Sequence, residues 1–75
     1  MVKVYTTDAC PWCVKAKNYL KSRNITFKEF NVAEDMVARE EMLKKSKQMG
    51  VPVLDINGTV IIGFDKSAID TALTK

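Results

Sequence analysis

Ala9-Cys10-Pro11-Trp12-Cys13 holds both cysteines of the chain, separated by two positions. That spacing closes a short disulfide ring. On a helix it sets both sulfurs on one side, about one turn apart. Pro11 suits a first helical turn, where a missing N–H costs nothing and the fixed φ is already helical. Upstream, Val2 and Val4 alternate with Lys3 and Tyr5 as in a strand, and downstream the pattern is helical. Cys10 is therefore expected at the mouth of a helix, directly after a strand. Free backbone N–H groups and the positive end of the helix dipole favour a thiolate there. The chemistry this predicts is thiol–disulfide exchange.

Working outward, Thr6-Thr7-Asp8-Ala9 is the loop that delivers Cys10. The helix is expected to run to about Arg23, with Cys13, Ala16 and Leu20 on its inner face and Lys15, Asn18 and Ser22 outside. Cys13 then points at the core and Cys10 at solvent. Arg23-Asn24 closes the helix, Asn being at ease in the left-handed region. Residues 25–32, rich in β-branched and aromatic side chains, predict a second strand covered partly on both faces. A second helix begins at Glu34-Asp35 and ends among Lys44, Lys45 and Lys47, with Met36, Ala38, Met42 and Leu43 as its apolar stripe and Gly50 as its stop. Val53–Ile56, the Asn57-Gly58 turn and Val60–Ile62 form a hairpin. Gly63 permits a bend, Asp65 or Ser67 caps, and Ala68–Leu73 is a short last helix.

The order is β-α-β-α-β-β-α. An α/β fold with one four-stranded mixed sheet and helices on both faces accounts for every segment, the first two strands being parallel. Seventy-five residues make one domain, 1–75, near the lower size limit for folding without staples. The apolar runs are too short for a transmembrane span, and the start reads as a strand instead of a signal peptide. Two cysteines in one CxxC pair differ from a secreted disulfide framework, so a reducing cytoplasm is the expected location. There is no histidine. That removes a Cys–His dyad, imidazole acid–base chemistry and any histidine-bearing zinc site, and two thiolates alone fall short of a structural zinc site. A net charge of +3 gathers in Lys15, Lys17, Lys21, Arg23 and Lys28. It reads first as a solvated helix face and second as mild steering of anionic partners. Without aromatic interleaving, nucleic-acid binding is not expected.

Cys10-Pro11-Trp12-Cys13 resembles the CPYC motif of the glutaredoxins, a family with the thioredoxin-like fold, and the resemblance covers essentially the whole chain. Glu40-Glu41-Met42-Leu43-Lys44-Lys45-Ser46 resembles a common second-helix sequence of that family. Val51-Pro52 matches the end of its TVP segment, and Ile62-Gly63-Phe64-Asp65 stands where many members have Gly-Gly-Cys-Asp or Gly-Gly-Tyr-Asp. The resemblance implies Cys10 as nucleophile and Cys13 as resolving thiol. It implies a cis Pro52, with the Val51 backbone beside the sulfurs to pair with a substrate chain. Trp12, Gly63, Phe64 and Asp65 complete the implied substrate or glutathione site.

The chain also departs from the family pattern. Thr7 stands where a lysine is common, with Asp8 beside it, Ile62 replaces the first glycine of the Gly-Gly pair, and Gly50 replaces the threonine of TVP. Gly63-Phe64 is also similar to glutaredoxin-like redoxins that take electrons from thioredoxin reductase. The reading is thus a monomeric oxidoreductase acting on disulfide-containing proteins, with no bound cofactor and no membrane or nucleic-acid partner. Its expected electron donor is glutathione, weakly, or better a protein of the thioredoxin-reductase type. The alternative is a metal- or iron–sulfur-cluster-binding module without turnover.

Overall fold

The computed structural model describes residues 2–48 and 50–74. Its elements are β1 (Val2–Thr6), α1 (Pro11–Ser22), β2 (Lys28–Asn31), α2 (Met36–Ser46), β3 (Val53–Ile56), β4 (Thr59–Ile62) and α3 (Lys66–Leu73). The sheet order is β2-β1-β3-β4. β1 and β2 are parallel, with Tyr5 opposite Phe30, while β3 runs antiparallel to both β1 and β4. The expected order and mixed sheet are what the chain adopts.

Alternation along β1 divides the core in two. Val2 and Val4 face one layer with Leu54, Ile56 and Ile61, covered by Ala16 and Leu20 of α1 and by Ile69 and Ala72 of α3. Tyr5 and Val53 face the other layer, closed by Val32 and by Ala38 and Met42 of α2. Helices therefore cover both faces, and α1 carries the cysteines on the α3 side.

Local chemistry sets the ends of the elements. Asn24 has φ 58°, and α1 closes with Asn24 N–H donating to Lys21 O and Ile25 N–H to Leu20 O, both at 3.0 Å. That bonding pattern is a Schellman motif, and Ile25 packs against the same cluster as Leu20. It also shortens the second strand. The Ile25 amide is spent on the cap and the ladder starts at Lys28, so residues 25–27 are a connection, with Ile25 and Phe27 packed on the core.

Asp35 caps α2 by accepting the Ala38 N–H at 3.0 Å. The expected stop at Gly50 is corrected: α2 ends at Ser46, and Lys47 takes the left-handed conformation with φ 59°. Ser46 Oγ reaches back to Met42 O and forward to Gln48 O, closing the turn without a glycine. Met36, expected in the apolar stripe, is the first residue of α2, is 60% exposed and stays outside the cluster that Ala38 and Met42 enter. Asn57 and Gly58 both have positive φ, as a type I′ hairpin requires. Asp65, not Ser67, caps α3.

On the α2 face, five polar side chains share one network. Tyr5 OH donates to Glu41 Oε1 at 2.7 Å, and Lys3 donates to the same oxygen at 3.1 Å. Lys45 Nζ reaches Tyr5 OH at 3.1 Å, Glu41 Oε1 at 3.0 Å and Asp55 Oδ2 at 2.5 Å. Asp55 Oδ1 accepts the Gly58 N–H of the hairpin turn at 2.9 Å. The last turn of α2 is thereby tied to β3 before the chain turns toward Val51-Pro52.

Candidate active site at the mouth of α1

Cys10 is the N-cap of α1, in extended conformation with φ −127° and ψ 98°, and Pro11 opens the helix. The Cys13 N–H donates to Cys10 O and to Cys10 Sγ, each at 3.1 Å. The sulfur thus takes the position that a serine or aspartate oxygen holds in an ordinary cap. Cys10 and Cys13 form a disulfide with their Cα atoms 5.2 Å apart. Cys13 is 1% exposed against the core, whereas Cys10 is half-buried. One sulfur therefore meets solvent and the other lies behind it, as the spacing on α1 predicted.

The underside of this turn is locked. Thr6, buried at the end of β1, donates through Oγ1 to Glu29 Oε2 at 2.9 Å, and Lys17 Nζ of α1 donates to the same oxygen at 2.8 Å. The Lys17 contact, helped by Thr6, holds the Glu29 carboxyl below the usual carboxylate range. The lock fixes the first two turns of α1 to the sheet below.

The Val51–Pro52 peptide bond is cis. Gly63 N–H donates to Pro52 O at 2.8 Å, which joins the proline segment to the turn after β4. These two segments and Trp12 enclose an open cavity of about 280 Å³, lined by Trp12, Val51, Pro52, Gly63 and Phe64. Gly63 has φ 79°, a conformation only glycine takes readily. Five of the six residues expected around the cysteines line this one cavity. The sixth, Asp65, does not: its Oδ1 accepts the Ala68 N–H at 3.1 Å as the α3 cap.

Trp12 is 55% exposed, and its ring centroid lies 6.4 Å from that of Phe64. Phe64 in turn meets Tyr19 edge-on at 5.9 Å. Tyr19 OH donates to Asp70 of α3, which also accepts from Arg23 at 2.7 Å. The sequence reading missed Tyr19. A signal for it existed, since Tyr19 stands seven residues after Trp12 and so on the same face of α1. Thr7 is half-buried, and the exposed Asp8 accepts from Asn31 Nδ2 at 2.8 Å. Among the described residues no three His, Cys, Asp or Glu side chains gather in a way that could hold a metal ion, and no helix is long and apolar enough to cross a membrane.

A mixed sheet with a CxxC disulfide at the start of its first helix, and a cis-proline before β3, marks the redox-active class of thioredoxin-like folds. Residues 2–61 match the family model described as glutaredoxin. The chain is 56% identical, over all of both sequences, to an uncharacterized glutaredoxin-like 8.6 kDa protein in the rubredoxin operon of Clostridium pasteurianum. With glutaredoxin 3 of Escherichia coli it shares 38% identity, over 85% of this chain and 77% of that one. The crystal structure of the thioredoxin-like protein BC3987 superposes with a TM-score of 0.90 at 33% identity, covering 96% of this chain and 99% of that one. The chain belongs to the glutaredoxin family. Membership and the CxxC pair together point to thiol–disulfide oxidoreductase chemistry.

Proposed function

We propose that the protein reduces disulfides in other proteins by a two-thiol mechanism. The observation that carries this reading is the asymmetry of the pair: a half-buried Cys10 at the helix cap and a buried Cys13 one turn behind it. The Cys10 thiolate attacks one sulfur of a substrate disulfide, forming a Cys10–substrate disulfide and releasing the other substrate sulfur as a thiolate. Cys13 then loses its proton and attacks Cys10 Sγ. The second substrate sulfur leaves with the bonding pair, and the Cys10–Cys13 disulfide remains. Two electrons have passed to the substrate, and a reductant restores the dithiol. Val51 and Pro52 offer backbone along which a substrate strand can pair, while Trp12, Gly63 and Phe64 surround the residue beside its cysteine. Asp65 serves this site through the α3 cap and the N-terminal end of that helix.

The electron donor in this proposal is a protein reductase of the thioredoxin-reductase type, with glutathione a poor second. Thr7 brings no charge beside the cysteine loop, Asp8 brings a negative one, and among the described residues no cationic side chain lines the cavity itself, Lys15 standing outside it on the Trp12 ring. One absent charge-assisted hydrogen bond weakens a small anionic ligand by about tenfold or more.

The test is trapping. Reduced Cys13→Ser is expected to accumulate a mixed disulfide with an oxidised protein substrate, and Cys10→Ser to lose all exchange. A Cys10→Ser variant that keeps turnover refutes the assignment. With NADPH, thioredoxin reductase is expected to reduce the wild type faster than glutathione with its reductase, and the reverse order refutes the donor.

A further inference from the structure

Two ammonium groups at this end of the fold rest on aromatic rings, and Lys66 also acts by its charge on Asp70, four residues along α3. Lys15 Nζ lies 4.4 Å from the Trp12 ring centroid, and Lys66 Nζ lies 5.6 Å from that of Tyr19. Among the described residues neither forms a salt bridge, whereas Lys3, Lys17, Arg23 and Lys45 all do. The carboxylates nearby are already engaged: Asp65 caps α3, Asp70 binds Tyr19 and Arg23, and Asp8 binds Asn31. Both cations rest on the rings of the row Trp12–Phe64–Tyr19, which runs from the cysteines along α1. We propose that this row, with Lys15 and Lys66, is the docking surface for a protein segment whose disulfide cysteine is followed by a large apolar side chain and flanked by carboxylates.

The inference rests on the oxidoreductase reading above and names its substrate class. The cavity accepts one bulky apolar side chain between Trp12, Pro52 and Phe64, and Gly63 leaves room, since nothing stands within 4 Å of where its Cβ would be. Phe64 is held between two rings, so a partner finds its contact surface already ordered and loses less entropy on docking. A carboxylate arriving at Lys15 gains an ion pair without breaking one, and one arriving at Lys66 shares its charge with Asp70. α1 and α3 both start at this end, capped by Cys10 and Asp65, and their N-terminal dipoles add to the positive field. Charges placed this way select partners and speed encounter more than they add affinity.

Three short synthetic peptides test the proposal, each with one cysteine held as a mixed disulfide with 2-mercaptoethanol. The first has Glu flanks and Leu after the cysteine, the second Lys flanks and Leu, and the third Glu flanks and Ser. Their reduction by the reduced protein is followed by chromatography. At low salt the Glu-flanked peptide is expected to react roughly tenfold faster than the Lys-flanked one, a ratio that falls toward one at high salt. In the double variant Lys15→Glu, Lys66→Glu the ratio is expected to drop below one. Because the readout is a ratio on one protein, general damage to the chemistry cancels. Ser in place of Leu is expected to slow the Glu-flanked peptide several-fold. A low-salt ratio near one, a ratio the double variant leaves unchanged, or equal rates with Leu and Ser overturns the docking surface alone. A wild type that reduces none of the peptides overturns the oxidoreductase reading, and this proposal with it.

Discussion

Replacing Lys45 by methionine keeps the aliphatic stem and deletes the ammonium that joins Tyr5, Glu41 and Asp55. The Asp55 side chain is 12% exposed and that of Lys45 26%. Breaking a fully buried pair costs about 3–5 kcal/mol, and an exposed pair contributes about 1 kcal/mol or less. This pair lies between, and Asp55 keeps its bond from the Gly58 amide, so Lys45→Met is expected to cost about 2 kcal/mol. A chain this size has a total stability of roughly 4–11 kcal/mol, so the loss is a substantial share of it. The melting temperature is expected to fall by roughly 8–16 °C. Urea unfolding of wild type, Lys45→Met, Asp55→Asn and the double variant closes a thermodynamic square. The expected coupling is about 1.5 kcal/mol, in the range of contacting residues. A coupling below about 0.5 kcal/mol, typical of independent sites, would refute the claim that this pair ties α2 to β3.

Glu41 gives the same network a pH signature: hydrogen bonds from Tyr5, then Lys45, then Lys3 pull its carboxyl down to about 2. A depressed folded value means its contribution is complete above the unfolded value of about 4.3 and is lost as pH falls toward 2, so stability should decline across that window. Its side chain is 39% exposed, so screening limits the loss to about 1 kcal/mol, and Glu41→Gln should flatten the decline in acid melts. An equal slope in both proteins would contradict this. Asp65→Ala removes the α3 cap and should cost about 1 kcal/mol in thermal melts, with Asp65→Asn milder; if the alanine variant melts with the wild type, the cap is not stabilising.

The parts legible from sequence are those whose cause lies within a few residues. The Cys13, Ala16, Leu20 spacing needs only the helical period, and Asn57-Gly58 needs only the positive φ of a tight hairpin. Lys47 shows the limit. A lysine takes the left-handed position because Ser46 closes the turn through its hydroxyl, a bond pattern that composition does not announce. The close of α1 at Arg23-Asn24 was legible, but the late start of β2 was not, because the Ile25 amide is used in the cap and strand propensity over residues 25–27 conceals it. The Lys3–Tyr5–Glu41–Lys45–Asp55 network depends on the register Lys3 opposite Asp55 and on α2 lying across it. Asp55 inside an apolar strand was the available clue, but its partner could not be named before the register was known. At the site, the Asp65 cap was legible from its place before Ala68–Leu73, while the joining of Gly63 to Pro52 O depends on β3 and β4 being paired.

The Cys13 amide bonds to the sulfur of Cys10, and this ties the redox state of the pair to the stability of the helix it begins. A thiolate accepts such a bond more strongly than a disulfide sulfur, because it carries a full charge at the positive end of the dipole. Reduction therefore tightens the cap on α1 and oxidation loosens it. Around a closed cycle of folding and reduction, whatever the cap adds to the reduced fold must also appear as an easier reduction of the disulfide. Residues that favour the reduced Cys10 sulfur over the disulfide sulfur at this end of α1 thereby make the protein more oxidising, even though they never touch a substrate.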